Sequence, residues 1–239
     1  MARFALLALL SVHAALGASI PKRLSNGDLF NPAQGGGSWL DSGSGSLGEP
    51  LNVVISGLSS QEVLTDDGFL NLAKALGLCV ARSSLRRLLT GFIRSSTECL
   101  GIHLGADQTA NLGDGNGNVN QTMELRANLP IGGSCEESLV GGNHLRMFRQ
   151  NGTNHDTGAL FLAVSEEESA FEGHTIASNG YDVGRDNLVN SALKNPSYGT
   201  VSYTVTAESL TGYLESGSSG INHGIAIDGV VKLLTVTIK

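Results

Sequence analysis

The chain has 239 residues, is 41% hydrophobic and carries a formal charge of −7, enough for one sizeable domain with terminal extensions. The acidic balance argues against generic nucleic-acid binding, which needs a basic face. Thirty-two glycines and only 5% aromatic residues point to short elements and many turns, not a helical bundle.

Arg3 followed by the apolar run Phe4–Leu16 and the small-residue stretch Ala15-Leu16-Gly17 has the layout of a secretory signal peptide over residues 1–18, cut near Gly17 or Ala18. That run is too short for a comfortable membrane span, and no later stretch approaches the required length. Lys22-Arg23 is either a dibasic processing site or a pair of surface charges. Residues 19–48 read as a Gly/Ser-rich linker with a lone Trp39. Gly43–Gly48 formally fits GxGxxG, but it precedes a strand and opens no helix, the wrong context for a dinucleotide.

Leu51–Ser56 is a short apolar strand. Ser59 and Glu62 form a candidate capping box, Phe69, Leu72, Ala73 and Leu76 repeat at helical spacing, and Gly77 is the stop. Residues 79–95 break the pattern: four of the ten arginines fall between Arg82 and Arg94. They flank Leu85, Leu88, Leu89 and Phe92, so the segment is either a basic amphipathic helix drawn to an anionic surface or a solvated, irregular insertion. Leu100, Ile102 and Leu104 alternate as a strand. Asp114, Asn116, Asn118 and Asn120 lie two apart like a calcium loop. However, an EF-hand needs Gly and Glu where Val119 and Leu125 stand, so a turn is expected and no metal.

In His144–Gln150, period-two alternation puts Leu145 and Met147 on one face and His144, Arg146 and Phe148 on the other. After an Asn/Gly/Asp turn, Ala159–Val164 is continuously apolar, as in a strand covered on both faces. An alternating strand beside it implies a sheet with one partly open side lined by His144 and Arg146. Glu166–Glu168 reads as a solvated strand end and His174–Ile176 as a short strand. Leu188, Val189, Ala192 and Leu193 fall on one side of a helix ending before Pro196. Val201, Tyr203 and Val205 alternate, and Gly229–Ile238 is a closing β-branched strand. The sum is an α+β domain: a mixed sheet of about six or seven strands with two or three packed helices.

An exported chain meets oxidising conditions, which favours a Cys99–Cys135 disulfide worth roughly 3–4 kcal/mol and leaves Cys79 over. Asn120-Gln121-Thr122 and Asn151-Gly152-Thr153 are glycosylation sequons.

At HLRMFRQ, ALFLAVSEEE, GHTI and GYDVGRDNLV the chain resembles the LssY-like C-terminal domain, and more closely a group of small secreted fungal proteins related to it, over about residues 49–239. The resemblance implies a shared polar series, His144, Arg146, His174, Arg185 and Asp186, but no established activity, substrate or cofactor. It also implies that residues 79–95 are inserted, as translated intron or a lineage-specific loop, with Cys79 an accident of the insertion.

There is no GxSxG elbow, HExxH, CxxC or P-loop. His144, Arg146, His174 and Asp186 could converge as a general base with an oxyanion or phosphate clamp, or as a buried network that serves the fold. His103, His155 and His223 read as incidental. Two functions follow: an extracellular module binding a cell-wall component or another ligand, or a secreted hydrolase, phosphoesters being suggested because LssY-like domains can adjoin lipid-phosphatase-like membrane regions.

Overall fold

The computed structural model describes residues 27–43, 47–79, 107–127, 141–169, 172 and 175–239. The strand expected at Leu100, Cys99, Cys135, His174 and nearly all of the segment 79–95 lie outside them. Among the described residues ten strands run as β1 (Val53–Ile55), β2 (Leu78–Cys79), β3 (Thr109–Asn111), β4 (Asn118–Asn120), β5 (Met123–Ala127), β6 (Gly142–Asn151), β7 (Asp156–Glu167), β8 (Ser197–Tyr198), β9 (Val201–Leu210) and β10 (Val231–Ile238). Two α-helices are described, α1 (Asp66–Ala75) and α2 (Gly180–Ala192).

The main sheet has the order β2-β5-β6-β7-β1-β10-β9, extended at one edge by the two-residue β8. It is mixed: β1 runs parallel to β10 and antiparallel to β7. The α+β architecture expected from the sequence is therefore present. The last strand lies inside the sheet, between β1 and β9.

Period-two alternation sorts the sheet into two apolar layers. On the first face Val53, Ile55, Leu145, Met147, Leu160, Leu162, Leu234 and Val236 meet Phe69, Leu72 and Ala73 of α1 and Leu188, Val189 and Ala192 of α2. On the second face Val54, Phe148, Phe161, Ala163 and Leu233 meet Leu29, Trp39, Leu112, Ile221 and Ile227. Ala159–Val164 is buried throughout, because both layers use it.

Two local expectations are replaced. The cap of α1 is Thr65, whose hydroxyl accepts from Gly68 N (3.1 Å), whereas the Ser59 hydroxyl accepts from Val236 N and helps fix β10. Residues 27–43 and 47–48, expected as part of a linker, lie against the second face together with Glu49 and Pro50. Trp39 is 4% exposed, its ring packed on Phe161 and Tyr213 (centroids 5.4 and 5.3 Å). Gln150 fixes the start of this cover, accepting from Phe30 N (2.7 Å) and donating to Phe30 O (2.9 Å). A sheet face carrying Phe148 and Phe161 needs a cover, and this segment supplies it.

At the hairpin tips, Asp114 accepts from the backbone N–H groups of Asn116, Asn151 and Gly152 at 2.8–3.1 Å. Its oxygens are thus committed to the turn. No group of three His, Cys, Asp or Glu residues among the described residues is placed to hold a metal.

Candidate functional site

The second face turns polar at one end of β5, β6 and β7. Register makes this happen: Glu124 stands opposite Arg146 and Arg126 opposite His144, while His144 stands opposite Ser165. Residues facing each other across neighbouring strands have their Cβ atoms about 5 Å apart, so four charged or ionisable side chains share one patch. Asp41 and Glu49 of the cover close it from above, Glu167 from the end of β7.

The contacts form a continuous network. Glu124 Oε1 lies 2.9 Å from His144 Nε2, 3.5 Å from an Arg126 nitrogen and 3.9 Å from an Arg146 nitrogen. Arg146 donates to Glu49 Oε2 (2.6 Å), and Glu49 N donates to Asp41 Oδ1 (2.7 Å). Arg126 donates to Glu167, whose other oxygen is 3.5 Å from His144 Nδ1. His144 is 0% exposed and Arg146 7%. The expectation that these two line a partly open side is therefore corrected: the N-terminal cover encloses them.

Buried charge of this kind reshapes the acidities. Burial alone would raise Glu124, but the His144 hydrogen bond and the positive charges of His144, Arg146 and Arg126 outweigh it and hold the carboxyl down at about 2. Asp41 goes the other way. Its burial and the neighbouring Glu49 push it up to about 7, against the Glu49 backbone N–H and Arg146. Arg146 is raised: burial opposes its charge, yet Glu49, Glu124, Asp41 and Glu167 surround it.

Tyr181, at the first turn of α2, borders the same centre. Its backbone oxygen and that of Val164 both accept from the Asn52 amide at 2.9 Å, which ties the helix start to the sheet. Its hydroxyl, raised by burial and then by Glu49 and Asp41, has no hydrogen-bond partner, and neither do Ser165 Oγ and Arg146 Nε.

Arg185 and Asp186 belong elsewhere. From α2, Arg185 forks onto Asp228 (2.6 and 2.9 Å), donates to Val230 O (2.9 Å) and pairs with Asp186 (2.9 Å). A planar guanidinium favours such a two-point grip. This second cluster clamps α2 to the segment entering β10, and Arg185 is raised although burial opposes it, because Asp228 and Asp186 flank it. The expected convergence of His144 with Asp186 is thus not what the structure has: each belongs to its own cluster.

Five members of the network escaped sequence reasoning: Asp41, Glu49, Glu124, Arg126 and Glu167. Met123–Ala127 does carry the signal, since Met123 and Leu125 alternate with Glu124 and Arg126. Glu167 lay hidden in an acidic run, and Asp41 and Glu49 in a glycine-rich one. No protein-family model, curated protein or solved structure matches the chain.

Proposed function

We propose that the protein is a secreted LssY-like module that binds an extracellular ligand such as a cell-wall component, and that the His144 network holds the fold and performs no catalysis. One observation carries this reading. Both ring nitrogens of His144 face carboxylate oxygens, at 2.9 and 3.5 Å, within an enclosed site. A general base needs a lone pair within reach of a substrate proton; Nε2 is held by Glu124, and Nδ1, which has no hydrogen-bond partner, is fully buried beside Glu167. Export supports the reading through the signal-like residues 1–18 and the two sequons. Asn120 and Asn151 are both exposed, open to a glycan. No described helix is long and apolar enough to cross a membrane.

A single feature favours the hydrolase alternative. Ser165, its Oγ unpaired, stands opposite His144, which in turn meets Glu124, the residue types of an acid–base–nucleophile relay. Its burial is the physical objection. Secreted material tested against insoluble wall polysaccharides and against ester and phosphoester substrates separates the two. Sedimentation with a polysaccharide that survives Ser165→Ala, without turnover, supports the module. Turnover abolished by Ser165→Ala in a folded protein overturns it.

A further inference from the structure

Asparagine followed by glycine is a chemically labile pair, because glycine has no Cβ to shield its backbone nitrogen from the preceding side-chain amide. Asn26-Gly27, Asn116-Gly117, Asn151-Gly152 and Asn179-Gly180 are the four such pairs in the sequence. Asn26 lies outside the described residues. Asn116, Asn151 and Asn179 are all exposed, so access of water to the side chain does not separate them. The glycines that follow do.

Ring closure between the side-chain amide and the next backbone nitrogen asks two things of the glycine. Its N–H must be free to leave its place, and the peptide plane between the two residues must have room to turn. Gly152 has neither. It is buried, its N–H donates to Asp114 Oδ2 at 2.8 Å, and a Cβ built on it would lie 2.3 Å from Asp114 O. The Asn151 N–H donates to the same carboxylate oxygen at 3.0 Å, which fixes the pair from both sides. Gly180, at the first turn of α2, is buried too. Its N–H donates to Ala177 O at 2.7 Å, and its Cβ position lies 2.6 Å from Glu166 O and 2.7 Å from Ile176 Cγ2. Turning either peptide plane breaks a hydrogen bond and presses the glycine into its neighbours.

Gly117 is the opposite case. It stands in the loop between β3 and β4, half-buried and in the left-handed region (φ 67°). Apart from its chain neighbours, no atom lies within 4 Å of where its Cβ would stand. Among the described residues none accepts a hydrogen bond from its N–H. The Asn116 side-chain amide reaches Asn151 Oδ1 only at 3.4 Å, beyond the usual range for an N–H donor.

We propose that Asn116 is a site of covalent self-modification, converted to aspartate and isoaspartate through a cyclic imide formed with Gly117, and that the fold protects Asn151 and Asn179 from the same reaction. The Gly117 nitrogen attacks Asn116 Cγ. The N–Cγ bond forms, the Cγ–Nδ2 bond breaks, and Nδ2 leaves as ammonia with the proton that the Gly117 nitrogen gives up. Water then opens the imide at either carbonyl, giving aspartate or isoaspartate. Water is the sole co-reactant, and the step is independent of what the protein binds. Each conversion adds a negative charge to the hairpin tip beside Asp114, whose Oδ1 accepts from Asn116 N at 3.1 Å. The isoaspartate form also lengthens the backbone of the turn that sets Asn111 opposite Asn118.

Conversion resolved by site tests this. The full-length protein is held folded in mildly alkaline buffer, sampled over days and digested under mildly acidic conditions. The mass gained from amide to acid is then assigned to each asparagine from fragment ions, and a parallel sample is kept unfolded in guanidinium chloride. In the folded protein Asn116 is expected to convert at least about tenfold faster than Asn179, which must first lose a backbone hydrogen bond and lift a packed glycine. Asn179-Gly180-Tyr181 is not a sequon, so this comparison is free of any glycan. Asn151 is read on molecules that carry none, and is expected to be as slow as Asn179. In denaturant the three rates are expected to converge. Folded Asn116 converting no faster than Asn179 or Asn151 overturns the proposal. So does an advantage that survives unchanged in denaturant, which would assign it to the local sequence and not to the fold.

Discussion

Replacing Glu124 by Gln keeps the side chain's shape and removes its charge, which isolates what the network contributes. A carboxyl held at about 2 in the folded chain against an ordinary 4.5 is worth about 3 kcal/mol, at about 1.4 kcal/mol per pH unit. Because the folded value is depressed, that contribution is fully present above pH 4.5 and is lost as pH falls from there to about 2. Two consequences can be measured by urea unfolding followed through Trp39 and far-UV circular dichroism. Near neutral pH, Glu124→Gln is expected to cost about 3–5 kcal/mol, since His144, Arg126 and Arg146 lose a buried partner. Between about pH 5 and pH 2, the wild type should lose about 3 kcal/mol more than the variant, because other carboxyls titrate alike in both. Parallel acid limbs would refute the reasoning, and would mean that Glu124 is not held down by its neighbours.

Other outcomes follow from the same contacts. Arg185→Ala should destabilise by about 2–4 kcal/mol, since it strips Asp228 and Val230 O of their donor and unclamps α2. Combined with Glu124→Gln its effect should be additive within about 0.5 kcal/mol, the mark of two independent clusters in a double-mutant cycle. Gly184→Ala puts a Cβ 2.3 Å from the Ser165 carbonyl carbon, so α2 must move off β7. A loss of about 1–3 kcal/mol or more is expected in thermal unfolding. Thr65→Ala removes the cap of α1 and should cost about 1 kcal/mol by the same measurement. The proposed export carries its own test: Asn120→Gln and Asn151→Gln are each expected to lower the mass of the exported protein by one glycan, and an unchanged mass counts against glycosylation at that site.

The faces of the strands were readable because alternation is a local property. Leu145 and Met147 go one way and His144, Arg146 and Phe148 the other whatever surrounds them, and a run such as Ala159–Val164 has no polar face to offer solvent. The helices at Phe69 and Leu188 were legible for the same reason. Composition misled at residues 27–43 and 47–48. Glycine and serine signal a flexible chain, yet the apolar second face needs a cover, and Trp39 and Leu29 supply one. Glu124 and Arg126 belonged to a readable alternation that a five-residue strand made easy to pass over.

By itself the sequence determined the class of fold, the alternation of β6 and β9, the apolar run of β7, and the placing of His144 and Arg146 on one face of an otherwise apolar sheet. Tertiary structure alone decided which charges meet. Arg146 finds Glu49 across 97 positions of chain, and it does so only because strand register and the returning N-terminal arms bring them to one enclosed point. Electrostatics in a buried site depends on distance and on the exclusion of water, and neither is a property of neighbouring letters in a sequence.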